Sequence, residues 1–269
     1  MTNYICVTCG CQYAEAVDPP DFCKICADER QFVGFGGQQW TTLEALRASH
    51  HNHIEPMEPG LTRIGSEPTF AIGQHMFLVE GAGGNLLWDC ITLIDDETIE
   101  AIRERGGLSV MALSHPHFLS SIIEWSRAFN GVPIYVNAAD RQWVTRSDPA
   151  IVFWEGESRN LGEGLTLIHG GGHFDGGTML HWAAGAEGRG VLLPGDIIQV
   201  VNDPHWVSFM YSYANMIPLP ASKVGHLVDV VESFEFERIY SPWLGRIVTE
   251  DGKAVVRRSA KRYIDAMGG

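Results

Sequence analysis

From about residue 62 onward, short apolar runs alternate with segments of helical periodicity. FAIGQHMFLVE, a GAGG turn and NLLWDCITLI read as consecutive strands within 62–95. DETIEAIRERG (96–106) predicts a helix, with acid in its first turn and glycine at its end. LSVMALS is a buried strand. SSIIEWSRAFNG follows as a helix carrying Ile122, Trp125 and Phe129 on one face. PIYVNA is a strand and ADRQWVTR a short helix, and strand-like runs return in LTLIHGGG, TMLHWAA and GVLLPGD. Two more helices follow. One aligns Ala221, Val224, Leu227 and Val231; the other, at the C-terminus, aligns Val256, Ala260, Tyr263 and Ile264. Between them RIYSPW is a short strand. Strands with a hairpin, then strand–helix alternation, then strands again, predict an α/β (α+β) fold on two mixed sheets. Residues 36–61, with SHHNHIEPMEPG at their core, read as an irregular linker, and His50, His51 and His53 as its solvated side chains.

Charge narrows the partners. With 33 acidic against 19 basic residues the formal net charge is −14, a surface that repels polyanions on average. Nucleic acid and membrane are therefore not expected as partners, whereas a small-molecule substrate is; a homo-oligomer stays open. No apolar run approaches the ~18–20 residues of a membrane span. MTNYICVTCGC lacks the charged and apolar regions of a signal peptide, so the expected compartment is the cytoplasm.

Five of the six cysteines fall within the first 26 residues. Cys6/Cys9 and Cys23/Cys26 are two Cys-x-x-Cys pairs, separated by a turn-rich VDPPD. Four thiolates so spaced suit a tetrahedral structural zinc site better than disulfides. A module of 1–35 is too short to fold on a core of its own, so metal would supply its folding energy. It resembles a zinc-ribbon or rubredoxin-type knuckle pair. Cys11 reads as a spare thiol.

Further along, four loops just past apolar strands carry metal-type residues. Asp89 ends NLLWD, His115 and His117 follow VMALS, His173 sits in GGGHFDGG, and Asp196 ends GVLLPGD. Loops on a rigid scaffold are where such sites are built. His169, His75 and Asp175 read as packing or turn residues, His205 as a weaker spare ligand, and Trp206, Phe209, Tyr211 and Tyr213 as core or cleft wall.

The order and spacing of these four motifs over 62–269 resemble the metallo-β-lactamase-fold hydrolase superfamily. That resemblance implies a four-layer αββα sandwich with the metal at one edge of its two sheets, preceded here by the four-cysteine knuckle. It implies that His115, His117 and His173 form the three-histidine pocket. It also implies that Asp89 braces the ligand loop as a hydrogen-bond acceptor. The second pocket is degenerate: Leu119 and Ser120 stand where the superfamily has Asp-His, Trp243 lies near the slot of a late histidine, and only Asp196 is kept. Three imidazoles and an open position suit a catalytic zinc. Asp196, as ligand or water-orienting group, and Ser120, as a contact to substrate or water, are then the expected catalytic residues. The expected activity is single-metal hydrolysis of a small-molecule ester, thioester or lactone. Two rivals stay open: an iron(II) 2-His-1-carboxylate dioxygenase of the persulfide dioxygenase type, and a non-catalytic scaffold that docks through its knuckle.

Overall fold

The computed structural model describes residues 1–268. Its largest sheet has seven strands in chain order: β1 (His51–Glu58), β2 (Leu61–Glu67), β3 (Met76–Val79), β4 (Leu86–Trp88), β5 (Val110–Ala112), β6 (Ile134–Asn137) and β7 (Ile151–Trp154). Strands β1 to β4 are antiparallel and β4 to β7 parallel. A second sheet holds β8 (Ser158–Gly162), β9 (Leu165–His169), β10 (Thr178–Trp182), β11 (Val191–Leu193), β12 (Arg238–Tyr240) and β13 (Ile247–Val248). Only its β11–β12 pairing is parallel.

Side-chain alternation shows how the layers stack. Phe77 and Val79 of β3, Leu86 and Trp88 of β4, Leu165 and Leu167 of β9, and Val191 and Leu193 of β11 share one buried cluster between the sheets. Their neighbours Met76, Leu78 and Leu87 face the other way, into a cluster with α1 (Asp96–Glu104) and α2 (Ile122–Ala128). Ile168, Met179 and Leu192 of the second sheet likewise meet α3 (Ala221–Val231) and α4 (Gly252–Ala266). Both faces of both sheets are therefore covered, which is why the central strands read as continuous apolar runs. The result is the expected four-layer αββα sandwich. The predicted first helix also matches: Asp95 caps α1, its carboxylate accepting from Thr98 N at 2.8 Å.

The stretch 36–61 differs from its reading as a linker. Trp40–Thr41 pairs with Ile5–Cys6, Leu43–Arg47 is a short helix, and β1 pairs with β2 from His51 to Glu58. Proline and histidine masked that strand because β1 is an edge. An edge strand tolerates proline where a central one does not, and His51 and His53 are exposed.

The four-cysteine module lies against the first sheet's outer layer. Cys6, Cys9, Cys23, Ile25 and Cys26 belong to the same apolar cluster as Leu78, Leu113 and Phe118. Polar ties reinforce the seam: Gln12 N donates to the Ser120 carbonyl (2.9 Å), Thr92 Oγ1 to the Gly10 carbonyl (2.8 Å), and Lys24 Nζ to the Gln142 carbonyl (2.6 Å).

Candidate metal centre

Two groups of donors converge. The first is Cys6, Cys9, Cys23 and Cys26, whose sulfurs all lie within 4.8 Å of one another. Cys6–Cys26 and Cys9–Cys23 are each 3.6 Å apart, far longer than a disulfide of about 2.05 Å. A tetrahedron built on bonds of about 2.3 Å has edges near 3.8 Å, so the spacing fits four thiolates around one zinc-sized ion. Two donors steady the sulfurs: Gln38 Nε2 to Cys6 (3.2 Å) and the Tyr13 hydroxyl to Cys23 (3.3 Å). Cys11 stays outside the group, its sulfur 3.1 Å from Thr145 Oγ1.

The second group is His115, His117, His173 and Asp196. Each follows the carboxyl end of a strand. His115 and His117 come after β5, His173 after β9 and Asp196 after β11. Parallel and antiparallel pairings thus bring three chain segments to one edge of the sandwich. The ligand-type atoms again fall within 4.8 Å. His173 Nε2 is 3.4 Å from His117 Nδ1, and His115 Nε2 is 3.7 Å from Asp196 Oδ2. Tetrahedral edges for bonds of about 2.0–2.1 Å are about 3.3–3.4 Å, close to both values.

The supports of these side chains are specific. His115 Nδ1 pairs with Ser114 Oγ at 2.9 Å, and His173 Nδ1–H donates to the Tyr211 carbonyl at 2.8 Å. Both rings thereby turn Nε2 toward the cluster. Asp89, fully buried with φ of 61°, accepts from Ser114 N at 2.7 Å and so holds the loop that carries His115. Gly195 has φ of 54°, and a Cβ there would stand 2.4 Å from Ser114 Oγ. The glycine before Asp196 is thus what lets the two loops touch.

Burial sets the protonation. The four side chains belong to residues no more than 4% exposed. Burial first, then the neighbouring imidazoles and the Arg30 cation, hold His115 and His117 well below the usual histidine range. Burial takes His173 down to about 4 although the Tyr211 and Met210 carbonyls oppose the shift. Neutral imidazoles are the form that binds metal. Burial also pushes Asp196 up to about 7. His115 Nε2 is buried without any hydrogen-bond partner. An orphaned acceptor among two more imidazoles and a carboxylate has a ready explanation in a cation, and the residues fit one.

Other residues singled out in the sequence lie elsewhere. Ser120 corrects the expectation of a substrate contact: it is 3% exposed and its hydroxyl donates to the Cys90 carbonyl at 3.1 Å. His205 is on the surface, bonded to Asp203, and so replaces no ligand. His169 Nε2 meets the Asp175 carbonyl. His75 pairs with the Pro242 carbonyl and lines a cavity of about 170 Å³ with Glu55, Gln74, Thr92 and Leu244. Trp243, near the slot of the absent late histidine, donates its indole N–H to Asp196 Oδ1 at 2.7 Å. Arg30 carried no signal in the sequence. Its guanidinium lies 4.1 Å from the Phe174 ring centre and 5.1 Å from that of Tyr211.

No family model matches the sequence. One relative, the Uncharacterized protein YmaE of Bacillus subtilis (strain 168), is 50% identical over 269 residues, covering 99% of this chain and 97% of that protein. The chain belongs to the YmaE family. Solved structures add the fold. The metallo-β-lactamase DIM-1 superposes with a TM-score of 0.60 at 12% identity, covering 80% of this chain and 98% of that one. TMB-1 gives 0.61 at 13% identity, covering 81% and 99%. FIM-1 from Pseudomonas aeruginosa, a metallo-β-lactamase in its mono-zinc form, gives 0.57 at 15% identity, covering 78% and 95%. The chain therefore has the metallo-β-lactamase fold, to which the four-cysteine cluster is joined at the N-terminus. Among the described residues, no helix is long and apolar enough to cross a membrane.

Proposed function

We propose that the chain is a single-metal hydrolase of a small-molecule ester, thioester or lactone, with the metal held by His115, His117 and His173. The observation that carries this reading is the unpartnered Nε2 of His115, buried where two further imidazoles and Asp196 converge. Zinc is the ion that the nitrogen-rich set suits best, as it suits the cysteine cluster. A metal held there polarises a carbonyl and acidifies a water. The protein's own residues do the rest. Asp196 orients the attacking water or takes its proton, with its other oxygen pinned by Trp243. Asp89 and Ser114 keep the His115 ring in register. That FIM-1 is described in a mono-zinc form supports a one-metal centre in this fold.

Burial of the four donors, none in a residue more than 4% exposed, favours a small substrate.

One observation favours a second reading. Asp196 sits among the imidazoles rather than beside them, so two histidines and one carboxylate are available for iron(II) and oxygen. Metal analysis of anaerobically purified wild type and His115→Ala decides between the two, together with hydrolysis assays on short acyl esters, thioesters and lactones. The hydrolase reading expects zinc at both clusters, with His115→Ala losing one equivalent and all turnover. Iron at the imidazole cluster, or turnover that survives His115→Ala, would overturn it.

A further inference from the structure

The four-cysteine module ends beside the imidazole cluster. Cys26 and Ala27 are followed by Asp28, Glu29, Arg30 and Gln31, and the last three bond to the segments that hold His173. Asp28 grips the Arg30 guanidinium with both oxygens, at 2.6 Å to Nε and 3.0 Å to Nη2. The third arm, Nη1, donates to the carbonyl of His173 itself at 3.4 Å. The flat face of the same guanidinium covers Phe174, whose ring in turn stacks on His115 at 5.6 Å and 26°.

Four more bonds fasten the segment to residues 211–215 on the other side of His173. The Tyr211 hydroxyl donates to Glu29 Oε1 (2.7 Å), and Ser212 Oγ donates to the Arg30 carbonyl (3.1 Å). Asn215 Nδ2 donates to the carbonyls of Glu29 (2.8 Å) and Gln31 (2.9 Å). Tyr211 is also the residue whose carbonyl receives His173 Nδ1–H. Residues 28–31 therefore clamp His173 from its own backbone, from the ring next to it and from its hydrogen-bond acceptor.

We infer that the four-cysteine module is a working part of the imidazole centre: residues 28–31, with Arg30 at their middle, position His173 for its ligand. This rests on the metal reading of that centre and adds a task for the module beyond holding its own ion. Arg30 is a positioning residue, since its donors are engaged by Asp28 and His173. A planar fork suits that geometry; a lysine ammonium supplies the charge without the second arm.

Cobalt(II) titration of the full chain separates the two clusters, because thiolate and imidazole sites absorb differently. Arg30→Ala is expected to weaken cobalt at the imidazole cluster by about 10–100-fold, the range for removing a group that orients a metal-binding histidine, with the thiolate band unchanged. Arg30→Lys is expected to recover part of the loss. Wild-type affinity in Arg30→Ala would overturn the inference. Wild type that binds cobalt only through thiolates would instead overturn the metal reading itself. If Arg30→Ala loses the thiolate band as well, Tyr211→Phe takes its place, because it cuts only the Glu29 tie. A weaker imidazole site in Tyr211→Phe then supports the clamp, and an unchanged one refutes it.

Discussion

The two clusters are equally buried and comparably tight, yet they are built in different ways. Four cysteines within 21 consecutive positions make the first, and two short turns suffice to aim them. The second takes residues from 115, 117, 173 and 196, which meet only because strands β5, β9 and β11 end at one rim of the sandwich. The sulfur site is a local structure that a metal would complete. The imidazole site is a product of the fold, braced by Ser114, Asp89, Tyr211 and Trp243. What the difference teaches is a direction of dependence. The local site reaches the distant one through residues 28–31, whereas no residue of the imidazole cluster bonds to a sulfur.

The largest effect is expected where that direction is cut at its source. In Cys26→Ser the module loses its metal. Structural zinc in small thiolate modules is worth about 10–16 kcal/mol of apparent binding free energy, so residues 1–35 should lose their order. The expected readings are one metal equivalent fewer, rapid proteolysis before residue 40, and a fall in Tm on the order of 10 °C. Affinity at the imidazoles should drop with it. The reverse substitution, His115→Ala, should leave the thiolate band as it is. A symmetric outcome, each variant emptying both sites, would break the comparison.

The same contrast decides what could be read from residues alone. The cysteine site needs only spacing, and spacing is printed in the chain. The sandwich was legible because buried strands, helix faces and four strand-end motifs follow one order. Residues 36–61 were misread because proline and clustered histidines mark loops on average, while an edge strand accepts both at positions facing water. Ser120 was given a role by its place in a motif, but a slot vacated by one side chain does not lend its direction to the next. Trp243 was seen in its slot, though not its bond to Asp196, because indole-to-carboxylate pairing has no pattern in sequence. Arg30 was missed altogether. Its hydrogen-bond partners lie 143 and 182 positions away or two residues back, and neither separation makes a motif.

A middle-sized effect should appear in the pH dependence of stability. Asp140 accepts from Gly176 N at 2.9 Å, beneath the His173 loop, and burial pushes its carboxyl up to about 7. Its folded value thus lies above the ~3.9 of an unfolded chain. Between the two, the folded protein holds a proton that the unfolded chain has released, so this group's contribution falls as pH rises from about 4 through about 7. Asp140→Asn keeps an acceptor for Gly176 and removes the charge. In metal-free protein it should gain on the order of 1–3 kcal/mol over wild type at about pH 8 and nothing below about pH 4. Denaturation curves at both pH values check this; an equal gain at each would sever the link to burial. Asp140 lies outside the cysteine module, so a module-only unfolding step should not show the difference.

The smallest effect is expected at Ser120, and it sharpens the contrast most cheaply. A motif-based reading makes this hydroxyl part of the chemistry, whereas its geometry makes it a strut. The hydroxyl donates to the Cys90 carbonyl (3.1 Å), and the backbone carbonyl accepts from Gln12 of the cysteine module (2.9 Å). Alanine removes the first bond and keeps the second. Both residues carry a Cβ, so the positive φ of 35° costs them alike. One lost neutral hydrogen bond should lower stability by about 1 kcal/mol, since the Cys90 carbonyl loses its donor in a buried place. Turnover on whichever acyl substrate the wild type accepts should stay within about twofold, because a factor of ten corresponds to about 1.4 kcal/mol at the transition state and no reacting group is in reach. A tenfold fall in kcat with unchanged KM and unchanged stability would return Ser120 to the chemistry. It would also mean that the loop swings its hydroxyl from Cys90 into the centre when substrate arrives.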